Sequence, residues 1–224
     1  MRGLFVTGTG TGVGKTIVSA ALLAAIRMSG QRVSAYKPVV TGLAEPSGQW
    51  PPDHELLALM AGMTPEEVAP LRFLPAVSPH LAASLAGEPI DAVTVVELAQ
   101  AGASAGEILI VEGVGGLLVP LSDDFKVRDL AVELALPLLI VTSPGLGTIN
   151  HTLLTIEAAR AVGLNVAAVV FTPWPGEPSQ LEQSNRATVA RLGEVEVVTL
   201  GTVRTPDLVQ MAEAGDSLPW RRWL

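Results

Sequence analysis

Between Gly8 and Thr16 the chain reads Gly-Thr-Gly-Thr-Gly-Val-Gly-Lys-Thr, directly after the apolar run Leu4-Phe5-Val6. A glycine-rich turn leaving a strand and entering a helix aims several backbone N–H groups at one point, and a string of phosphates fits that point. Gly12, Val13 and Gly14 supply the cradle. Lys15 adds a fixed positive charge for the β- and γ-phosphates, and Thr16 a hydroxyl set to ligate Mg²⁺. The ordinary loop of this kind has four residues between its first glycine and Gly-Lys-Thr, which would put glycine where Thr9 stands. Counted from Gly8, the loop is one residue longer. A dinucleotide fingerprint, G-x-G-x-x-G, fails from either start, because its last glycine falls on Val13 or on Lys15. The residues describe a nucleoside-triphosphate site.

Other chemistry-bearing residues sit where strand-like runs end. Glu112 closes Ile108-Leu109-Ile110-Val111 and precedes Gly113. A carboxylate there can hold Mg²⁺ from the side opposite Thr16, although a solvated strand-end carboxylate fits the same residues. Lys37, before Pro38, could neutralise a transferred phosphoryl group or an anionic substrate, or stand as a surface lysine. Asp53 follows Pro51-Pro52 and precedes a helical run, so it reads either as an N-cap or as a second Mg²⁺ carboxylate. Gly147-Thr148-Ile149-Asn150-His151 opens another helix. Its free N–H groups suit a carboxylate or phosphate, and plain capping by Thr148 or Asn150 is the simpler alternative. His54, His80 and His151 show no metal-binding spacing and no serine lies in a nucleophile elbow, which argues against zinc and acyl-enzyme chemistry.

The elements that must position these residues alternate along the chain. Leu4–Thr7, Val33–Lys37, Ile108–Glu112, Leu138–Thr142, Val166–Phe171 and Val195–Leu200 read as buried strands. Helices are expected near Thr16–Ser29, His54–Ala61, Ala92–Ala103, Val127–Ala135, Ile149–Val162 and Gln180–Leu192. The expected fold is a single-domain α/β architecture over residues 1–224, P-loop NTPase-like, with a mostly parallel central sheet flanked by helices on both faces. Ligands of such sheets bind beyond the carboxyl ends of the strands. Hydrophobic residues make up 49% and aromatics 4%, so the core is mostly aliphatic. A net charge of −8 argues against nucleic acid as a partner. Cysteine is absent, which removes thiolate chemistry and suits the cytoplasm. Mean hydropathy is +0.44, yet the apolar runs are short and Pro137 interrupts the one from Leu134 to Val141, so no membrane span is expected. The phosphate loop begins within eight residues of Met1, and no signal peptide is expected.

Taken together, these residues resemble the dethiobiotin synthetase family of biotin synthesis. The resemblance runs to about Asn185. It rests on F-V-T-G-T-x-T-x-V-G-K-T at Phe5–Thr16, Y-K-P-V at Tyr36–Val39, S-P-H at Ser78–His80 and V-E-G-V-G-G-L at Val111–Leu117. P-L-S-D at Pro120–Asp123 and L-G-T-I-N-H-T-L-L-T at Leu146–Thr155 add to it. The longer phosphate loop is this family's own form. The resemblance implies closure of a cyclic urea on 7,8-diaminononanoate with CO₂ and a nucleoside triphosphate such as ATP, through a carbamate and a carbamic–phosphoric anhydride. It implies that Thr16, Asp53 and Glu112 hold Mg²⁺ and that Thr11, Lys15 and Lys37 stabilise carbamate and phosphoryl group, with Thr41 on the substrate side. It places the substrate carboxylate at Gly147, Thr148, Ile149 and Asn150, in a site completed by the second subunit of a homodimer.

The chain also departs from the family. Gly10 and Gly12 stand where acidic residues are often found. Thr172-Pro173 replaces the Asn-Asp whose amide reads adenine, so the expectation is another base, cytosine among the candidates, or indifference to the base. The segment Gly201–Pro206, with Gly201 and Val203, is expected to close over the base. A positioning or partition ATPase, acting through protein, DNA or membrane, is the competing reading. It would carry a lysine early in the loop, where this chain has Gly8-Thr9-Gly10, and only the Trp-rich end Pro219–Leu224 hints at a docking surface.

Overall fold

Alternation along β1 (Arg2–Gly8) divides the molecule into two layers. Leu4 and Val6 join one core cluster and Phe5 the other. β5 (Ile108–Glu112) and β6 (Leu138–Thr142) flank β1 and split the same way, as a period of two requires. Both are buried throughout, which explains why they read as unbroken apolar runs. The computed structural model describes residues 1–45, 48, 50–102 and 107–224. Within these, β2 (Val33–Tyr36), β7 (Val166–Trp174) and β8 (Val197–Gly201) complete a six-stranded sheet ordered β2-β5-β1-β6-β7-β8, with every pair parallel.

One face is covered by α1 (Lys15–Met28), α2 (Asp53–Ala61), α3 (Pro65–Val68) and α9 (Leu208–Asp216). The other carries α4 (Pro79–Ala86), α5 (Ala92–Gly102), α6 (Val127–Leu134), α7 (Thr148–Arg160) and α8 (Gln180–Gly193). α1 is Ala- and Leu-rich and buried continuously from Val18 to Ile26. α9 lies so close that a Cβ on Gly215 would come 2.1 Å from the Ala21 carbonyl oxygen; only glycine fits there.

Several expected boundaries shift. The second strand ends at Tyr36, and the Lys37 N–H leaves the sheet to donate to the Val68 carbonyl at 2.8 Å. Pairing of β3 (Val39–Val40) with β4 (Leu71–Arg72) then fixes the chain after Lys37. β7 runs on past Phe171 through a cis Thr172–Pro173 bond to Trp174, and β8 begins at Val197 rather than Val195. Ala103, the expected end of α5, lies outside the described residues. The Trp-rich end is core: Trp220 is fully buried, Trp223 is 6% exposed, and its indole N–H donates to Glu196 at 3.0 Å. Among the described residues, no helix is long and apolar enough to cross a membrane.

Candidate active site

The phosphate loop joins the carboxyl end of β1 to α1. Gly12 and Gly14 adopt left-handed backbone, with φ of 74° and 96°, and Gly14 forms the N-cap with no side chain over the helix end. The first N–H groups of α1 are therefore left without a side-chain partner, an arrangement suited to an anion. A Cβ on Gly14 would come 2.7 Å from Thr172 Cγ2, so the end of β7 presses on the loop at that point. The Lys15 ammonium curls back to donate to the Gly10 carbonyl at 2.8 Å. Burial lowers Lys15 to about 8, with the attraction of Glu112 only partly opposing it.

β5 ends beside this loop with Glu112 fully buried. Lys37 Nζ donates to Glu112 Oε1 at 2.5 Å and to Asp53 Oδ2 at 2.7 Å, while Thr16 Oγ1 donates to the same Glu112 oxygen at 2.9 Å. Asp53 is the first helical residue of α2 rather than its cap; Pro52 holds the cap position and no side chain caps the helix. Its carboxylate is turned to Lys37 instead. Burial opposes ionisation of Asp53, but the Lys37 charge and hydrogen bond outweigh it and hold the carboxyl below its ordinary range. For Lys37, burial favours loss of the proton, and Glu112 and Asp53 overcome this, so the ammonium is held above its usual range. Glu112 Oε2 is buried without a hydrogen-bond partner. An orphaned carboxylate oxygen beside Thr16 and Asp53 is an oxygen-rich setting that fits a hard divalent cation.

These residues line or border a cavity of about 810 Å³. Its wall includes Thr11, Gly12, Gly14, Lys15, Thr16, Lys37, Thr41 and Asp53, together with Trp50, Val39, Val40 and Ser78. Gly147, Thr148, Ile149 and Asn150 are not in that wall; they open α7 on the far side of β6. A second cavity of about 490 Å³ lies behind the phosphate loop, between Gly8–Thr11, Gly116–Pro120 and the α7 residues His151, Leu154 and Thr155. Gly147 forms the α7 cap with φ 86° and no side-chain cap bond. Neither Thr148 nor Asn150 caps the helix. Thr148 instead bonds Thr142 Oγ1 at 2.8 Å, and Asn150 is exposed. Gly201 pairs with Trp174 at the sheet edge, and Val203 packs on the core below it.

Sequence reasoning passed over Thr9, Thr142, Thr152 and Asn185. Thr142 Oγ1 lies 3.0 Å from Thr9 Oγ1 and accepts from Thr152 at 3.2 Å, tying the phosphate loop to the α7 start. Asn185 Nδ2 donates to the Pro144 and Gly145 carbonyls at 2.9 and 3.2 Å, holding the turn before α7. The signal for the hydroxyl group was present: three threonines at the end of one strand and on one helix face, at positions 142, 148 and 152.

The parallel order, the loop after β1 and an acid on the adjacent strand define a P-loop α/β nucleotide enzyme. A family model described as an AAA domain matches residues 2–211. A ParA family ATPase from Chlorobium tepidum TLS superposes with a TM-score of 0.53 at 12% identity, covering 97% of this chain and 91% of that one, a likeness of fold alone. Two curated relatives are named ATP-dependent dethiobiotin synthetase BioD. One, from Anaeromyxobacter sp. (strain K), is 41% identical over 97% of both chains, and the other, from Mycobacterium sp. (strain JLS), is 37% identical over 98% of both. The chain belongs to the dethiobiotin synthetase family.

Proposed function

We propose that this chain is an ATP-dependent dethiobiotin synthetase, closing the ureido ring of dethiobiotin on 7,8-diaminononanoate with CO₂. The observation that carries this is the meeting of Lys15, Thr16, Lys37, Asp53 and Glu112 at one sheet rim, in a chain of this family. One substrate amine takes up CO₂ and releases a proton, giving a carbamate. The carbamate oxygen attacks the γ-phosphorus, and the nucleoside diphosphate leaves. The second amine then attacks the carbonyl carbon of the mixed anhydride, phosphate departs and the ring closes. No side chain is covalently modified; positioning and charge compensation carry the reaction.

Lys15, with the N–H groups of Gly12, Val13 and Gly14, holds the β- and γ-phosphates. Lys37 and Thr11 stabilise the carbamate and the moving phosphoryl group, and Thr41 contacts the substrate. Thr16, Asp53 and Glu112 would hold Mg²⁺, which supplies charge neutralisation of the phosphate oxygens when bound. Thr172 and Pro173, with Gly201 and Val203, border the base. Pro173 has no N–H and Thr172 is buried against Gly14, so neither offers the paired amide donor and acceptor that reads adenine. ATP is the co-substrate the family uses, and other bases, cytosine among them, are accepted here.

The substrate carboxylate sits at the N-terminus of α7, on Gly147, Thr148, Ile149 and Asn150, across the interface of a cytoplasmic homodimer. Leu146 is 87% exposed beside that helix start, and the exposed Leu118 and Leu154 line the second cavity, an apolar surface suited to a second copy. Incorporation of labelled CO₂ into a cyclic urea, run with ATP, CTP, GTP and UTP, tests the whole. Label in dethiobiotin is the expected result, and its absence with every nucleotide overturns the reading. A strong preference for ATP overturns the relaxed base choice alone. Sedimentation should give a dimer that Leu146→Glu weakens.

A further inference from the structure

Lys37 and a divalent cation call on the same pair of carboxylates. Lys37 Nζ sits on Glu112 Oε1 and Asp53 Oδ2, and the Thr16 hydroxyl donates its proton to that same Oε1. A metal held by Thr16, Asp53 and Glu112 draws on the same two carboxylates, with Glu112 Oε2 open to it. The Thr16 oxygen keeps its lone pairs for the metal while its proton stays on Glu112, so the hydroxyl itself is not contested. An ammonium within hydrogen-bond distance of both carboxylates would then touch a doubly charged ion, and burial leaves little water between them to screen the repulsion. Binding of the divalent ion therefore works against the lysine's position on the pair. The partnerless Glu112 Oε2, buried on the same carboxylate, shows that the lysine does not use all that this pair can offer a cation.

We propose that Lys37 is the counter-cation of the Glu112–Asp53 pair until a divalent ion displaces it, and that this exchange delivers the ammonium to the anionic substrates. Displaced, Lys37 loses both carboxylates at once, and its next partner is an incoming phosphate or carbamate oxygen in the same cavity. The lysine thus reaches the reacting groups only in a site already loaded with metal. This rests on the metal-ligand assignment above, and its test involves no turnover, so failure of the ring-closing activity and failure of the exchange are read separately.

The probe is Mn²⁺, titrated into nucleotide-free protein and followed by electron paramagnetic resonance of the free ion. Lys37→Met should bind one Mn²⁺ at least about ten-fold more tightly than the unaltered chain, because a like charge has left the site. Lys37→Arg, which keeps the charge, should stay as weak as the parent. Adding Glu112→Gln to Lys37→Met should abolish the gain. Equal affinities in parent and Lys37→Met overturn the proposal, as does a gain that survives loss of Glu112. Should Lys37→Met fail to fold around an unpaired Glu112, Lys37→Gln, whose amide can still donate to that carboxylate, carries the same comparison. The Lys37 ammonium ¹⁵N–¹H signal should also broaden away when Mg²⁺ saturates the parent protein. A signal unchanged at saturation overturns the exchange.

Discussion

The two strands that flank β1 end in opposite chemistries. β5 delivers Glu112 into a charged cluster in which one carboxylate oxygen carries two donors and the other none. β6 delivers Thr142 into a neutral cluster of three other hydroxyls, and one donor with two lone pairs is what three such neighbours use up. The charged end is incompletely satisfied and can change partners. The neutral end is closed on itself and holds the phosphate loop and α7 in fixed relation. A site that moves charge is thus built beside one that does not move.

The sharpest way to break this contrast is to remove charge from the β5 end. Glu112→Ala leaves Lys37 buried with only the half-exposed Asp53, and should cost about 3–5 kcal/mol in urea unfolding. A loss below about 1 kcal/mol would show that the cluster contributes little to the fold. Lys37→Gln should lower kcat by about 10²–10³-fold while nucleotide affinity changes far less. Equal loss of both would make Lys37 a nucleotide-affinity residue. At the β6 end, Thr142→Val strands its neighbours' hydroxyls and should cost about 1–3 kcal/mol, with Thr142→Ser close to the parent. If serine fails as badly as valine, methyl packing rather than the hydroxyl holds that end.

The smallest effect concerns Lys15. Its ammonium titrates at about 8 before anions arrive, and phosphates raise it again. Triphosphate binding without metal should therefore take up about half a proton at pH 8, approaching zero near pH 6 and increasing above pH 8. Calorimetry in buffers of different ionisation enthalpy measures it. No uptake at pH 8 would mean that Lys15 is fully charged in the empty loop.

Local pattern revealed the alternating sheet, because strands buried on both faces read as uninterrupted apolar runs and the loop before α1 has few other uses. It also located Lys37, Asp53 and Glu112 as strand-end or helix-start residues. It could not pair them, since Lys37 and Glu112 are 75 residues apart and meet only because β2 and β5 are neighbours in the sheet. Asp53 looked like a cap because the competition between a helix N–H and a distant ammonium is decided in three dimensions. The short α4 and the C-terminal α9 were missed although their starts are signalled, by Pro79 in the first turn and by Asp207 capping Val209 and Gln210. At eight and nine residues they are too short for a clear period.

The contact of Gly215 with Ala21 reaches beyond the core. The helix proposed to receive the triphosphate at one end is backed along its flank by α9, with no side chain between the two backbones. Any larger residue at 215 would act as a wedge, tilting α1 and re-aiming its leading amides some distance away. Gly215→Val should therefore impair nucleotide capture from the far side of the molecule, without altering a single group that meets the ligand.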